Sequence, residues 1–249
     1  MKRLKALCLI ICLFGLVSAC AGPNAQTPSA SDSNQERVIQ VRKTINVAKG
    51  KTFDGMGALY DWTGAGDCSQ TEGMPPMFKL SHGATLQNLR MRNAPDGIHV
   101  RGSHVTISNI VNLDVCEDAI SIKLDKNKSI PSHVTIRDSK FYDCEDKAIQ
   151  ITRGRHLLIK NNEFHNCAKA LRLQKEAKNI RFEGNKVYNA KVAIKVSGGE
   201  IVSSGNYFDT AKLGYWIEKN GVLREGHGNR MKNVTEVVRF TEGGTAVLE

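Results

Sequence analysis

The chain has 249 residues, 41% of them hydrophobic, which suits one domain or one elongated repeat array with its own core. Its formal net charge is +10, an excess that points to an anionic partner. No nucleic-acid recognition motif accompanies the charge, so nucleic acid is set aside; acidic polysaccharide, or a basic surface with no specific task, remains.

Lys2, Arg3 and Lys5 form a positive n-region and residues 6–17 a short apolar stretch, so residues 1–19 are expected to be a signal peptide and not a membrane span. Val17-Ser18-Ala19-Cys20 resembles the lipobox of bacterial lipoproteins, in which Cys20 is acylated. The alternative is a plain secretory signal cut near Ala19 or Ala21. Acyl chains on Cys20 would anchor the protein to a membrane without spanning it. Ala21 in the next position points to the outer membrane of a bacterial cell envelope. Residues 20–36 are rich in Ser, Pro, Asn, Gln and Ala and are expected to form a flexible tether. Losing the three leader cations lowers the charge to about +7. Cys8 and Cys12 leave with the signal, and Cys68, Cys116, Cys144 and Cys167 remain.

Residues 37–249 are expected to form the folded domain, and from about Gly83 onward the chain repeats itself. Phe141, Phe164, Val187, Phe208 and Met231 recur at steps of 23, 23, 21 and 23 residues. Each unit alternates apolar and polar residues, as in Ile120-Ser121-Ile122 and Ile149-Gln150-Ile151, with Asn, Asp and Gly at the corners. This predicts an all-β fold, a right-handed single-stranded parallel β-helix. Leucine-rich repeats share the period but would show more Leu and an Asn ladder. A small-residue column is expected at Ala94, Cys116, Cys144, Cys167, Ala190, Ala211 and Val234, which makes the cysteines buried hydrophobes and a disulfide between neighbours the lesser reading. Apolar columns are expected from Ile98 to Val238 and from Val100 to Phe240. Between them His99, Ser121, Gln150, Arg172, Lys195 and Trp216 face outward, and Tyr215 falls in the core. The corner column is expected to hold Asp96, Asp118, Asp146 and Lys169, then to turn apolar. The coil of Lys147 has one extra residue, and a bulge there is expected to push Lys147 outward.

Coils stack about 4.8 Å apart, so Asp96, Glu117 and Asp118 would crowd three carboxylates on one side. A hard cation such as Ca2+ relieves that repulsion; a solvated acidic corner neutralised by Lys123, Lys147 and Arg172 is the other reading. Lys123, Lys147, Lys169 and Arg172 together suit β-elimination from a uronic acid polymer. A base removes the C5 proton while cations stabilise the developing charge.

The motifs in order are Asp96-Gly97-Ile98-His99, the run 114–123 (Asp-Val-Cys-Glu-Asp-Ala-Ile-Ser-Ile-Lys), Asp146-Lys147-Ala148-Ile149-Gln150 and Ala168-Lys169-Ala170-Leu171-Arg172. This set resembles the polysaccharide lyase family 3 pectate lyases over roughly residues 40–175. The resemblance implies Ca2+ at Asp96, Glu117 and Asp118. It implies a substrate cleft lined by Lys123, Lys147, Lys169 and Arg172, with Lys147 as the base. The sequence departs from the family pattern after Arg172, where Leu173-Gln174-Lys175 stands in place of Ser-Cys-Gly. The expected protein is a lipid-anchored or secreted, monomeric, calcium-dependent lyase of polygalacturonate-like chains. The alternative is a non-catalytic surface β-helix that binds acidic polysaccharide. No chemistry is expected from residues 176–249.

Overall fold

The computed structural model describes residues 36–66, 68, 73–123 and 131–248. The signal peptide, Cys20 and all of the tether but Glu36 lie outside them.

Among the described residues there is no helix, and every strand pairing is parallel. Three strands per turn stack into three sheets of a solenoid, about nine coils long. The coils are named by their first-sheet strands: coil 1 Ile45–Val47, coil 2 Pro76–Leu80, coil 3 Asp96–Val100, coil 4 Asp118–Ile122, coil 5 from Lys147, coil 6 from Lys169, coil 7 Val192–Ser197, coil 8 Leu213–Glu218 and coil 9 Glu236–Phe240. In coils 5 and 6 the chain stays extended from the first sheet into the second, as Lys147–Lys160 and Lys169–Glu183.

The predicted apolar columns are the observed register. Ile98, Ile120, Ile149, Leu171, Ile194 and Tyr215 pair in succession, and Val100 leads a parallel column two residues on. Phe141, Phe164, Val187, Phe208 and Met231 pair likewise in the third sheet. Tyr215 is fully buried and its hydroxyl is 2.9 Å from Ser203 Oγ, so it belongs to the core. Burying these columns along the axis is the main source of stability, at about 1.5–3 kcal/mol for each large apolar side chain. In coil 9 the column loses its cover, and Phe240 is half exposed.

A second ladder holds the bends. Asn162, Asn185, Asn206 and Asn229 occupy one position on successive coils. Each side-chain amide donates to a backbone carbonyl below it, and each side-chain oxygen accepts a backbone N–H. The ladder satisfies backbone groups that the corners would leave buried and unpaired. An Asn ladder therefore does not set leucine-rich repeats apart from this fold.

Three expectations at the first-sheet corner are corrected. Val115, not Cys116, bridges Ala94 on one side and Cys144 on the other. Cys116 is displaced from the column and forms a disulfide with Cys68. Cys144 and Cys167 remain free and buried in the column, Sγ to Sγ 2.7 Å. The extra residue therefore occurs twice. From Ala94 to Asp96 and from Cys167 to Lys169 is two residues, but from Val115 to Asp118 and from Cys144 to Lys147 is three. The added residues are absorbed in the corners, before the strand begins. Lys147 is thus not pushed outward: it pairs with Asp118 and Lys169 in strand register and is 6% exposed, while Asp146 sits in the corner. The corner column also regains a charge in coil 9, at Glu236.

Candidate active site

The site lies where the first-sheet strands of coils 3 to 6 begin. The register carries a column from Pro76 to Asp96, and another through Asp118, Lys147, Lys169 and Val192. The two enlarged corners add Glu117 and Asp146 beside it. Asp96, Glu117, Asp118 and Lys147 are all buried. Buried charges persist only when paired or held by hydrogen bonds.

Asp118 Oδ2 accepts from Ser121 Oγ at 2.6 Å, and its Oδ1 is 3.2 Å from Lys147 Nζ. Lys147 also donates to Asp146, whose other oxygen accepts from Lys169 Nζ at 2.7 Å. Asp118, Lys147, Asp146 and Lys169 thus form one alternating chain of charges across three coils. Burial pushes the Asp118 carboxyl above its ordinary range; Lys147 and Ser121 work against the rise, and Asp96 adds to it. Burial also acts on Asp146, but the bonds from Lys147 and Lys169 outweigh it and hold the carboxyl below the usual range. For Lys147, burial pulls the pKa down, and Asp118 and Asp146 overcome it, so the ammonium is held above its ordinary value.

Asp96 forms a second group. Its Oδ2 is 2.5 Å from His99 Nε2, and Arg101 Nη2 is 3.1 Å from His99 Nδ1. Arginine only donates, so the imidazole proton sits on Nε2 and goes to Asp96. Lys123 Nζ is 3.7 Å from the same Asp96 oxygen. Asp96, His99, Arg101 and Lys123 line a cleft of about 580 Å³, walled on the other side by residues 73–76. Lys147 and Lys169 do not line this cleft. Arg172 stands three residues beyond Lys169 on the same strand, in the outward column between Gln150 and Lys195, and lines a separate pocket. The predicted site residues therefore fall into three neighbouring groups: Asp96 with Lys123, Asp118 with Lys147 and Lys169, and Arg172.

The donor chemistry suits a hard cation. Asp96 Oδ1 is buried and has no hydrogen-bond partner, while Asp118 Oδ1 is met by Lys147; both are carboxylate oxygens of the kind calcium takes. Among the described residues, however, no three acidic, His or Cys side chains converge as a ready metal cluster.

His99 and Ser121 position the two carboxylates, and neither was anticipated in that role. Their outward column and their three-residue spacing from Asp96 and Asp118 carried the signal. Farther along, Lys195 and Glu218 form a buried pair at 3.2 Å, with Ser197 Oγ donating to Glu218 at 2.8 Å. Lys195 Nζ also lies 3.5 Å from the centroid of the Trp216 ring, covering that face. Residues 176–249 are therefore not devoid of polar organisation.

The chain is a parallel β-helix with a charged first-sheet face. An alginate lyase from Paenibacillus sp. has a matching fold over 85% of this chain and 86% of its own, with TM-score 0.64 and 13% identity. Endopolygalacturonase I from Stereum purpureum matches over 86% and 88%, with TM-score 0.50 and 14% identity. The pectate lyase family model matches residues 27–225, and the chain belongs to that family. A probable pectate lyase F of Aspergillus fumigatus is 34% identical over 207 residues, 78% of this chain and 80% of the relative. A probable pectate lyase F of Aspergillus flavus is 37% identical over 138 residues; the match covers 53% of this chain and about half, 54%, of that relative. The match to the family extends well past residue 175.

Proposed function

We propose that the protein is a calcium-dependent pectate lyase that cleaves polygalacturonate-like chains by β-elimination. Lys147 is the base. It takes the proton from C5 of a uronate; the electron pair forms the C4–C5 double bond, and the glycosidic oxygen at C4 leaves. Lys169 and Arg172, on the next coil, bind substrate carboxylates and offset the negative charge that develops beside C5. Lys123 binds substrate at the Asp96 edge. Asp96 and Asp118 would hold the calcium, with Glu117 as the third ligand. Bound there, calcium supplies positive charge to the substrate carboxylate and to the carbanion-like transition state.

The observation that carries this reading is the buried position of Lys147 between Asp118 and Asp146. As it stands, the ammonium is protonated at neutral pH, and a lysine base works only when its proton is gone. Turnover is therefore favoured at alkaline pH.

The test is ultraviolet absorbance of the unsaturated product when the chain is mixed with polygalacturonate at alkaline pH. A steady rise is expected. Binding without any rise, on every uronate polymer tried, would instead favour the binding-only alternative. We also propose attachment to a bacterial envelope through a lipid on Cys20, on the strength of the sequence around it. Cys20→Ala is expected to move the protein from the membrane fraction to the soluble one.

A further inference from the structure

The cations on the outer face of the first sheet are mostly paired: Lys123 with Asp96, Lys147 with Asp118 and Asp146, Lys195 with Glu218, Arg239 with Glu236. Arg172, Lys175 and Lys219 make no ion pair among the described residues, and all three line one pocket of about 260 Å³ with Gln174 and Ser197. Arg172 Nε is buried and has no hydrogen-bond partner.

The pocket is made by the backbone. Gln174, Ser197 and Glu218 are register-paired at the end of the first sheet, and Ile180, Ile201 and Leu223 are paired in the second. The chain takes six residues to turn between them in coil 6, five in coil 8, and only four in coil 7. The short turn is Gly198-Gly199, with φ of +90° and +86°. A Cβ on Gly199 would lie 2.4 Å from the Ala177 carbonyl oxygen, so the close approach needs glycine. The recessed turn leaves a notch, with Lys175 on its coil 6 wall and Lys219 on its coil 8 wall. Ser197, which lines the notch, donates its proton to Glu218, so that hydroxyl can accept from a sugar hydroxyl and leaves the carboxylate to the lysines.

We propose that this notch is a second carboxylate-binding position for the polymer, one that holds a uronate unit farther along the chain than the unit at Lys147. The inference rests on the lyase reading above. Lys175 and Lys219, facing each other across the notch without an ion pair, suit a carboxylate, and Arg172, which serves the unit at Lys147, marks the inner edge of the notch. The volume is below the roughly 300–1,000 Å³ of a free-standing small-molecule site. It suits one unit of a chain that is anchored elsewhere.

The test is the Lys175→Ala/Lys219→Ala double variant, in which both substituted side chains are exposed and the core is untouched. Initial rates are measured with trigalacturonate and hexagalacturonate. The expected result is a rise of about tenfold in KM for the hexamer, with kcat and the trimer KM unchanged. Methyl-esterified hexamer should show no such difference between variant and parent. Equal KM values in variant and parent, or the same loss for both lengths, would overturn the proposal, the latter because it marks general charge steering. If the parent forms no unsaturated product, the lyase reading falls by itself. Calorimetric titration with the same oligomers then decides the notch: a hexamer preference lost with Lys175 and Lys219 supports it, and no preference sinks it.

Discussion

Lys147 Nζ lies 3.2 Å from Asp118 Oδ1 across two register-paired strands, and the same ammonium donates to Asp146 in its own corner. Lys147 is 6% exposed and held between the two carboxylates. Lys147→Ala is expected to lower kcat by about a hundredfold to ten-thousandfold. Loss of the shared cation also leaves Asp118 and Asp146 facing each other, so the thermal midpoint should fall while the circular dichroism of the folded chain is retained. A kcat within a few fold of the parent would remove Lys147 from the base role.

Glu218 provides a pH-dependent contribution away from the site. Burial pushes its carboxyl up, but the bonds from Ser197 and Lys195 outweigh that and hold it below the ordinary range. A carboxyl depressed in the folded state contributes stability above its unfolded pKa, and the contribution is lost as pH falls through the lower folded value. Glu218→Gln should therefore cost about 1–3 kcal/mol at neutral pH. The melting curves of variant and parent should converge as the pH is taken below the ordinary glutamate value of about 4.3. A gap that persists well below that acidity, past the depressed folded-state value, would mean the charge is not what stabilises the pair.

The Cys68–Cys116 disulfide spans 48 residues of sequence and ties the segment before coil 2 to the corner that carries Glu117 and Asp118. A bridge of this kind contributes about 2–4 kcal/mol. Cys68→Ser is expected to lower the thermal midpoint and activity together. Reductant should do the same to the parent and have no further effect on the variant. If reductant acts equally on both, the Cys68–Cys116 bridge is not the group it acts on.

Much of this was legible in the sequence because an inward β-position admits few residue types. Ile120, Ile149, Leu171 and Ile194 repeat that constraint coil after coil, so the register could be read from spacing alone. The corners impose no such constraint. Val115 and Cys116 are both small enough for the column, and choosing Cys116 hid the extra residue in coil 4, the disulfide to Cys68 and the true place of Lys147. The Lys195–Glu218 pair was missed for another reason. Its partners come from different coils, 23 residues apart, and neither belongs to a sequence motif. The family motifs marked Lys123, Lys147, Lys169 and Arg172 individually, but their division into three groups depends on corner lengths that only the folded chain shows.

Asp96 keeps one buried carboxylate oxygen, Oδ1, with no hydrogen-bond partner, and Asp118 Oδ1 is met by Lys147 alone. Such an oxygen is costly unless a cation or proton meets it. If calcium is that cation, it should raise the thermal midpoint of the parent, because a ligand that binds only the folded chain stabilises it. A chelator should abolish product formation, and added calcium should restore it. Asp96→Asn should weaken the calcium response by about tenfold or more. His99→Ala should do so less, since His99 only orients the Asp96 carboxylate. Melting without substrate separates this from any effect on turnover. A midpoint that ignores calcium in the parent, together with activity that survives chelation, would leave the two oxygens to be met by protons or by Lys123 and Lys147 alone.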